Sequence, residues 1–356
     1  MERNTSVSTW ILVSMIMASG ASAETRLTPS DVDCGCDEQL NRFGLSYRAG
    51  FNISAKFKNL GGFTSPNNPG PATGGTEERF YDDGYNRVDQ DGNAGNVTVF
   101  WGYENANQFD PSGGGTIAMN STSAAGQATS ENRENDPQHG MEVTFNRQLG
   151  KIGKAKWGIE TAANFTDITL RDNATLLGDA LRTTDVFQLN GVVPPVAPYN
   201  GTFNQGSGPV LGTVPFRTVT RIPNGATVSG KREFDAEIFG FRVGPYLEIP
   251  MNERLALSVS AGLSLLWISS DFEFEETITL AGGGSSSGSG RGNENDLLPG
   301  GYVGGNLLYS VNEQINLSAG AQYQAAGNYS HKENGKEAEL NIGEAVFFTL
   351  GVGYSF

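Results

Sequence analysis

The chain has few cysteines, few basic residues and no long apolar stretch. Of its 356 residues 2 are cysteines, and 24 lysines and arginines stand against 39 acidic residues, a net charge of −15. Such acidity excludes a nucleic-acid partner, because phosphates require a basic surface. No run of about 18 apolar residues occurs, so the sequence predicts no transmembrane helix.

What the chain does contain is glycine and short alternating segments. There are 48 glycines, and charged residues make up only 18% of the chain. A composition rich in glycine and aromatics and poor in helix formers predicts β-structure with long turns.

The first 23 residues predict an export signal. The apolar stretch TWILVSMIMA follows a head that contains Arg3, and Ala21-Ser22-Ala23 has the A-x-A form of a cleavage site. The stretch is too short to span a bilayer as a helix. An ordinary buried N-terminal helix is the alternative.

The two cysteines, Cys34 and Cys36, lie one residue apart in DVDCGCDEQ. A disulfide across one residue is strained, so a bridge to a second chain and two reduced thiols stay open as alternatives. Neither residue lies at the cleavage point, where a lipid anchor would be attached, and a metal site would need more ligands. We assign them no function.

The chain ends on AVFFTLGVGYSF, where apolar residues alternate with small or weakly polar ones. A period of two is typical of a strand with one apolar face. The alternation recurs in LSYRAGFNISAKFKNL, LALSVSAGLSLLWI and INLSAGAQYQA, and more weakly in MEVTFNRQL, KWGIETAANFT, FGFRVGPYLEI and PGGYVGGNLLYSV. The first of these predicts one continuous strand with Leu45, Tyr47, Ala49, Phe51, Ile53, Ala55 and Phe57 on its apolar face.

Short and long connections alternate between these segments. Tight turns are expected at GKIGKAK, PMNER and NEQ, with a further one near QFDPSGG. The long polar connections are Gly61–Asn96, Arg171–Lys231, Ala281–Asn295 and Ala326–Lys336. Long loops are unusual within compact soluble domains, whereas short turns at one end and long loops at the other are typical of a membrane barrel.

The two faces of the strands favour lipid over a soluble core. A sheet that crosses hydrocarbon must close on itself to pair its backbone groups, with its apolar face outward and its polar face inward. A soluble secreted sandwich would alternate too, but its outer face would be rich in Lys and Glu, whereas here the polar face carries Gly, Ser, Asn and Gln. The apolar rows also end in aromatics, which suit the headgroup level; these are Tyr47, Trp157, Trp267, Tyr309, Tyr323 and Tyr354.

The signal peptide, the two-faced strands and the closing FTLGVGYSF together resemble bacterial outer-membrane β-barrel proteins. In that group the last strand ends in an aromatic residue, usually Phe, and this end is read by the outer-membrane assembly machinery. The resemblance therefore implies an assembly signal, and it implies outer-membrane lipid and that machinery as partners. It covers the chain from about Leu45 onward and assigns no subfamily. The residues in the signal positions are Phe348, Leu350, Val352, Tyr354 and Phe356.

The predicted fold is an all-β transmembrane antiparallel up-and-down barrel with short periplasmic turns and long extracellular loops. We favour about ten strands; NVTVFWGYE and TIAMNSTS outside the membrane would reduce the count to eight, and further strands in the long loops would raise it to twelve. The predicted domains are a signal peptide (1–23), a periplasmic segment (24–44) and the barrel (45–356).

The phase of the alternation assigns side chains to the lumen. Barrels of this size fill their interior with side chains, and mixed charges would pair across it. A plugged interior and a narrow channel for small polar solutes both remain open. The residues expected to face the lumen are Arg48, Asn52, Lys56, Glu142, Glu160, Arg242, Glu248 and Gln322, together with Asn306 and Gln324.

The predicted role is a small porin-like channel or structural surface protein of the cell outer membrane. An adhesin or receptor acting through Arg171–Lys231 is the alternative. A barrel enzyme is less favoured, because the only histidines, His139 and His331, lie in no recognised catalytic motif. No cofactor is expected; AGGGSSSGSG lacks a phosphate-loop context, and DQDGNAGN lacks full calcium-ligand spacing.

Overall fold

The fold is taken from a computed structural model that describes residues 40–204 and 208–356. The predicted signal peptide, Cys34, Cys36 and most of the predicted periplasmic segment lie outside these residues. Within the described part of the chain, no helix has the length and apolar character needed to cross a membrane.

The described residues are almost entirely β-strand, as the alternating segments predict. In chain order the strands are β1 (Asn41–Phe51), β2 (Ser54–Lys58), β3 (Leu60–Phe63), β4 (Arg79–Tyr81), β5 (Gly84–Asn86), β6 (Val97–Thr98), β7 (Trp101–Tyr103), β8 (Phe109–Asp110), β9 (Thr116–Ala128), β10 (Arg133–Glu134), β11 (Gln138–Ile152), β12 (Ala155–Asp172), β13 (Leu176–Gln188), β14 (Tyr199–Asn200), β15 (Leu211–Gly212), β16 (Phe216–Pro250), β17 (Leu255–Leu280), β18 (Ser285–Ser310), β19 (Ile315–Ala326), β20 (Tyr329–Glu333), β21 (Lys336–Asn341) and β22 (Ala345–Ser355). Short 3-10 turns occupy Ala94–Asn96, Ala106–Gln108 and Ser112–Gly114.

Eight of the described strands pair in a closed ring. The order around it is β12, β11, β1, β22, β19, β18, β17 and β16, and β16 pairs back onto β12. Every pair in the ring is antiparallel. The favoured number of ten strands is not confirmed: NVTVFWGYE and TIAMNSTS pair outside this ring.

The strand pairing around the ring is staggered. Following registered partners once around it from Thr166 returns to the same strand at Lys156, ten residues earlier. A stagger of this kind accompanies strand tilts of about 35–45°. The tilt brings the apolar rows into one band around the ring.

The two ends of the ring differ as the sequence predicts. Three short turns, after Ile152, Pro250 and Ser310, lie at one end. There the first and last described strands also meet, since Asn41 and Phe356 exchange both backbone hydrogen bonds. The turn expected near QFDPSGG is present, because β8 and β9 pair as an antiparallel hairpin on either side of it, but this hairpin lies outside the ring.

The outer surface of the ring is an apolar band, which we call the belt. Along β16 it runs through alternate residues from Phe239 to Ile249, and along β12 from Trp157 to Phe165. These lengths match the ~9–11 residues with which a tilted strand crosses hydrocarbon. At the end away from the turns the belt closes in packed aromatics, with Phe239 5.0 Å from Phe165 and 5.6 Å from Trp267 between ring centroids.

Beyond these aromatics the strands continue, but their faces exchange polarity. On β17 the outward residues change from Leu263, Leu265 and Trp267 to Asp271 and Glu273. The inward residues change in the opposite sense, from Ser258, Ser260 and Ser264 to Ile268, Phe272 and Phe274, which are buried. Strands β12 and β16 change at the same level, where Ile168 and Ile238 begin to point inward.

Strand β1 achieves the same exchange through its backbone. The continuous strand predicted from Leu45 to Phe57 is wrong, because Asn52 adopts a left-handed conformation (φ 61°) and separates β1 from β2. Asn tolerates this region better than most residues. Leu45 and Tyr47 consequently face outward, whereas Ile53, Ala55 and Phe57 are buried.

The part of the chain beyond the aromatics forms a folded unit, which we call the head. The upper halves of β16, β17 and β18 continue into it, with β13, β9 and β3 added beside β16. A second sheet, β10-β2-β21-β20, covers the apolar inner face. The glycine-serine stretch Ala281–Asn295 is therefore not one long loop: most of it is β18, paired with β17, and only a tight turn separates the two strands.

Candidate functional site

The interior of the ring is closed by a buried ion-pair network. Arg242 on β16 reaches past β12 to Glu142 on β11, with its Nη2 donating to Oε1 at 2.7 Å and its Nε to Oε2 at 3.2 Å. Its Nη1 donates to Glu160 on β12, whose other carboxylate oxygen accepts from Asn146 at 2.8 Å. One guanidinium thus binds Glu142 through both carboxylate oxygens and Glu160 through one. Bidentate arginine–carboxylate pairs are among the strongest hydrogen-bonded ion pairs.

A second arginine extends the network across the ring. Arg48 on β1 is 1% exposed, and its Nη1 lies 3.6 Å from the Glu142 carboxylate. Its Nη2 donates to Gln324 on β19 at 2.8 Å, and its guanidinium stacks 3.5 Å above the ring of Phe347. Two cations thus balance two anions in the middle of the ring, as burial of charge demands.

An apolar layer lies directly above this network. Phe347, next to Arg48, belongs to the head core together with Ile53, Ile168, Ile238 and Leu266. These residues come from five different strands or loops around the ring, so they fill its cross-section from all sides. Asn164, Thr166 and Gln324 line the same space between this layer and Arg48.

Below the network, toward the turns, the interior widens into a polar cavity. Its volume is about 40 Å³, and its lining includes Ser46, Thr144, Ser258, Asn306 and Asn316. At its lower end Arg42 donates to Glu248 at 2.6 Å. The cavity is thus a water-sized recess that ends at the network rather than a passage.

Of the residues predicted to face the lumen, Arg48, Glu142, Glu160, Arg242, Gln322 and Gln324 are buried, and Glu248 and Asn306 are partly buried. Two others lie outside the interior of the ring. Asn52 is exposed at the break after β1, where its Nδ2 donates to the carbonyl of Glu344 at 2.9 Å. Lys56 lies on β2 in the second sheet, opposite Glu339, because the break removes it from the ring.

The residues predicted as an assembly signal form one outward row. Phe348, Leu350, Val352, Tyr354 and Phe356 are all exposed on the outer face of β22. That strand lies between β1 and β19 and completes the ring. Their placement in the belt follows the alternation predicted from sequence.

The two histidines lie far apart in the fold. His139 is exposed on the outside of β11, hydrogen-bonded through Nδ1 to the hydroxyl of Tyr47. His331 is 1% exposed in the head core, with Nδ1 2.8 Å from the Ser270 hydroxyl, which lies 2.7 Å from the Tyr329 hydroxyl. Burial lowers the pKa of His331, against the opposing effect of Glu294, Glu333 and Asp271. This serine and histidine are enclosed in the head core.

The head contains a second, smaller core that sequence reasoning missed. Its centre is Trp101, Tyr103, Phe187 and Leu211. Phe187 and Leu211 come from the long connection predicted at Arg171–Lys231, whereas Trp101 and Tyr103 belong to the candidate strand NVTVFWGYE. Above the core lies a four-stranded sheet in the order β14-β7-β5-β4.

An anchoring ion pair joins this core to the larger sheet. Arg217 on β16 holds Asp185 on β13 through two hydrogen bonds of 2.6 and 2.7 Å. Tyr81 on β4 donates to the same carboxylate at 2.5 Å. Burial and this hydrogen bond raise the pKa of Tyr81. The head is therefore a fixed structure rather than a set of free loops.

The acidic run DQDGNAGN organises its own backbone. Asp89 accepts hydrogen bonds from the amides of Asp91, Asn93 and Val99, which occupy both carboxylate oxygens. Across the described residues no group of three or more acidic, histidine or cysteine side chains is arranged to hold a metal ion. The run serves as a turn.

No protein-family model matches the chain, and no curated protein does so. Among solved structures it is similar to the attachment invasion locus protein Ail of Yersinia pestis, at TM-score 0.27 and 9% identity, over 90% of this chain and 99% of that one. It is similar to the outer membrane protease OmpT of Escherichia coli at TM-score 0.33 and 10% identity, over 89% and 97%. A FadL homologue of Pseudomonas aeruginosa gives TM-score 0.18 and 8% identity, over 90% and 91%.

Likeness of this degree carries no inference about family or activity. The architecture rests on features of this chain itself: an antiparallel ring, an apolar belt and a polar, charge-paired interior. In these features the chain has the architecture of outer-membrane β-barrel proteins, as the resemblance of its sequence implied.

Proposed function

We propose that this protein is an eight-stranded barrel of the cell outer membrane with a closed lumen, and that it acts at the cell surface through its head. The observation that carries the proposal is the double closure of the ring. The paired charges of Arg242, Glu142 and Glu160 fill its middle, and an apolar layer around Phe347 lies above them. Such an interior favours a surface-binding protein, an adhesin or receptor, over the porin-like channel.

Conductance in planar bilayers tests the closed lumen. We expect the purified protein to insert without producing open-channel steps, while a general porin in the same bilayers produces them. Steady ion-conducting steps from the protein would overturn the proposal and restore the channel. Heat-modifiable migration of the same preparation provides the control that the barrel was folded.

The head supplies the binding part of the proposal. Val193, Val196 and Phe216 expose 81, 88 and 74% of their side chains, far from the belt. These side chains have no role in the core, and we propose that they belong to the contact surface. Because they pack against nothing, they can be replaced at little cost in stability.

A triple variant tests this surface. We expect bacteria that display Val193→Ser, Val196→Ser and Phe216→Ser to attach less to host-cell monolayers than bacteria that display the unchanged protein. Met251→Ser with Val311→Ser, at the turn end of the ring, is the matched control and should attach normally. Equal attachment by all three strains and by a strain without the protein would contradict an adhesive role.

The last strand is proposed to carry the assembly signal, with outer-membrane lipid and the assembly machinery as partners. The proposal predicts that removing Phe356 lowers the yield of heat-modifiable protein in the outer membrane. The proposed activity includes no catalytic step and no cofactor.

A further inference from the structure

The four-stranded sheet of the head presents an open cleft on the face away from the second core. The cleft measures about 570 Å³, and Phe80, Tyr85, Gly102, Asn200 and Glu104 are among the residues that line it. A volume of this size is typical of small-ligand sites.

The register of the sheet explains how the cleft is built. Phe80 on β4 pairs with Tyr85 on β5, which pairs with Gly102 on β7, which pairs with Asn200 on β14. Registered partners share a face of the sheet, so these four residues form one row across it. The neighbouring row faces the core instead, and its members Tyr81 and Tyr103 are buried.

Gly102 makes the row flat. A Cβ at this position would lie 2.6 Å from Cε1 of Tyr85, so the tyrosine ring rests directly on the glycine. The hydroxyl of Tyr85 donates to the carbonyl of Gly201 at 3.1 Å, which fixes the ring in this position. The aromatic surface continues from Tyr85 to Phe100, 5.6 Å away between centroids.

Hydrogen-bonding groups stand beside these rings. The carboxylate of Glu104 and the side-chain amide of Asn200 both line the cleft and are exposed. A carboxylate accepts and an amide both donates and accepts, so together they match vicinal hydroxyl groups. At the far edge Phe80 is 40% exposed.

We infer that this cleft binds a pyranose sugar of a neutral glycan. A pyranose has a flat face of C–H groups that fits an aromatic platform and a rim of hydroxyls that fits Glu104 and Asn200. A nucleobase would stack equally well, but the acidic chain opposes the phosphates that accompany it. The inference deepens the proposed surface function, since it gives the head a class of ligand.

The test uses the full chain in lipid nanodiscs and three probes: the methyl β-glycosides of glucose, galactose and N-acetylglucosamine. We expect saturation-transfer NMR to show transfer from the protein to the ring protons of at least one of them. Phe80→Ala and Asn200→Ala should each weaken that binding by about tenfold, as for a hot-spot contact.

Two further variants test the role of the Glu104 charge and provide a control. Glu104→Gln keeps the shape of the cleft but removes its charge, and it should also weaken binding; Glu253→Gln, in a turn at the opposite end of the ring, should not. Absence of transfer to all three glycosides, or transfer unchanged in the cleft variants, would overturn the inference. Neither result would affect the bilayer test of the closed lumen, so the two proposals can fail separately.

Discussion

Strand β17 runs from the belt into the head, and the polarity of its two faces differs between these regions. Up to Trp267 its outward row is apolar and its inward row is serine-rich; beyond it, carboxylates point outward and phenylalanines inward. The lower half has the pattern expected against hydrocarbon, with polar groups inside, whereas the upper half has the pattern of a water-soluble sheet. One continuous strand can therefore pass from lipid into water if its apolar residues move from the outward to the inward face at the boundary.

The largest effect is expected from the lumen network in the lower half. Arg242→Met leaves Glu142 and Glu160 buried without their main cation, and loss of one partner in such a pair costs about 3–5 kcal/mol. Denaturant unfolding of the protein in liposomes measures the change in free energy.

Arg171→Met is the matched control in the upper half. Arg171 pairs with Glu233 on the exposed outer face of the head, where ion pairs contribute little. We expect no measurable change in stability from this variant. Equal losses in the two arginine variants would contradict the difference between the regions.

The head core should be as sensitive as a soluble one. Phe272 is fully buried and its ring lies 5.8 Å from that of Phe57, so Phe272→Ala should cost about 3–5 kcal/mol. Because the ring below is held by its own pairing, the loss should appear as protease cleavage of the head while heat-modifiability persists.

Phe241→Ala gives the comparison for a phenylalanine in the belt. Phe241 is half exposed on the outside of β16, so its truncation removes only a lipid contact. We expect a much smaller effect than in Phe272→Ala. A belt variant as sensitive to protease as the core variant would show that Phe241 is packed inside the protein.

A charged residue on the outward face of β17 should destabilise the protein in the belt but not in the head. Leu263→Arg puts a cation into the middle of the belt, at a cost of about 2–4 kcal/mol. Thr279→Arg puts the same cation on the same face of β17 in the head, where water solvates it, and should be neutral. Refolding yield into liposomes and denaturant midpoint measure both, and a neutral Leu263→Arg would argue against a lipid-facing belt.

The ring could be predicted from sequence because its rows are strict. The alternation in LALSVSAGLSLLWI and in the last strand indicates which face of each strand is apolar. The exchange of the apolar face was not predicted from the sequence. Four apolar residues follow one another in LLWI, so both faces are apolar there and the strand continues without a visible break. Lys56 was predicted to face the lumen because the alternation continues past Asn52. The left-handed backbone at Asn52, which ends β1, cannot be recognised from the pattern of apolar residues.

The head could not be predicted because its strands are short and paired between distant segments. FEFEETITL is visibly alternating, yet its apolar face was not recognised as a core, since its partners lie in β2 and β21. The cleft likewise depends on the alignment of Phe80 with Asn200, which only the register reveals.

The turn in the backbone at Asn52 should have a smaller effect. Asn52→Ala places alanine in the left-handed backbone conformation, and alanine adopts this conformation at a cost of about 1–2 kcal/mol. Asn52→Gly fits that conformation and loses only the hydrogen bond to Glu344, so it should be more stable than the alanine variant. Denaturant midpoints of the two proteins provide the test, and the reverse order would contradict the role given to the backbone.

The smallest expected effect is the pH dependence of the head. Burial lowers the pKa of His331 in the folded state, so the unfolded chain binds a proton more readily. Stability should therefore be complete above the ordinary histidine pKa of about 6.5 and should fall as the pH drops below it. Protease resistance of the head at different pH values measures this; His331→Gln should remove the dependence, and His139→Gln should leave it unchanged.

The most direct measurement compares two nitroxide labels on one face of β17, at Leu263→Cys and Thr279→Cys, in a protein whose two native cysteines are replaced by serine. In liposomes, the label at 263 should be accessible to oxygen and protected from a water-soluble nickel chelate, and the label at 279 should show the opposite. If both labels had the same accessibility profile, the two halves of the strand would share one solvent, and the exchange of polarity at the membrane boundary would be refuted.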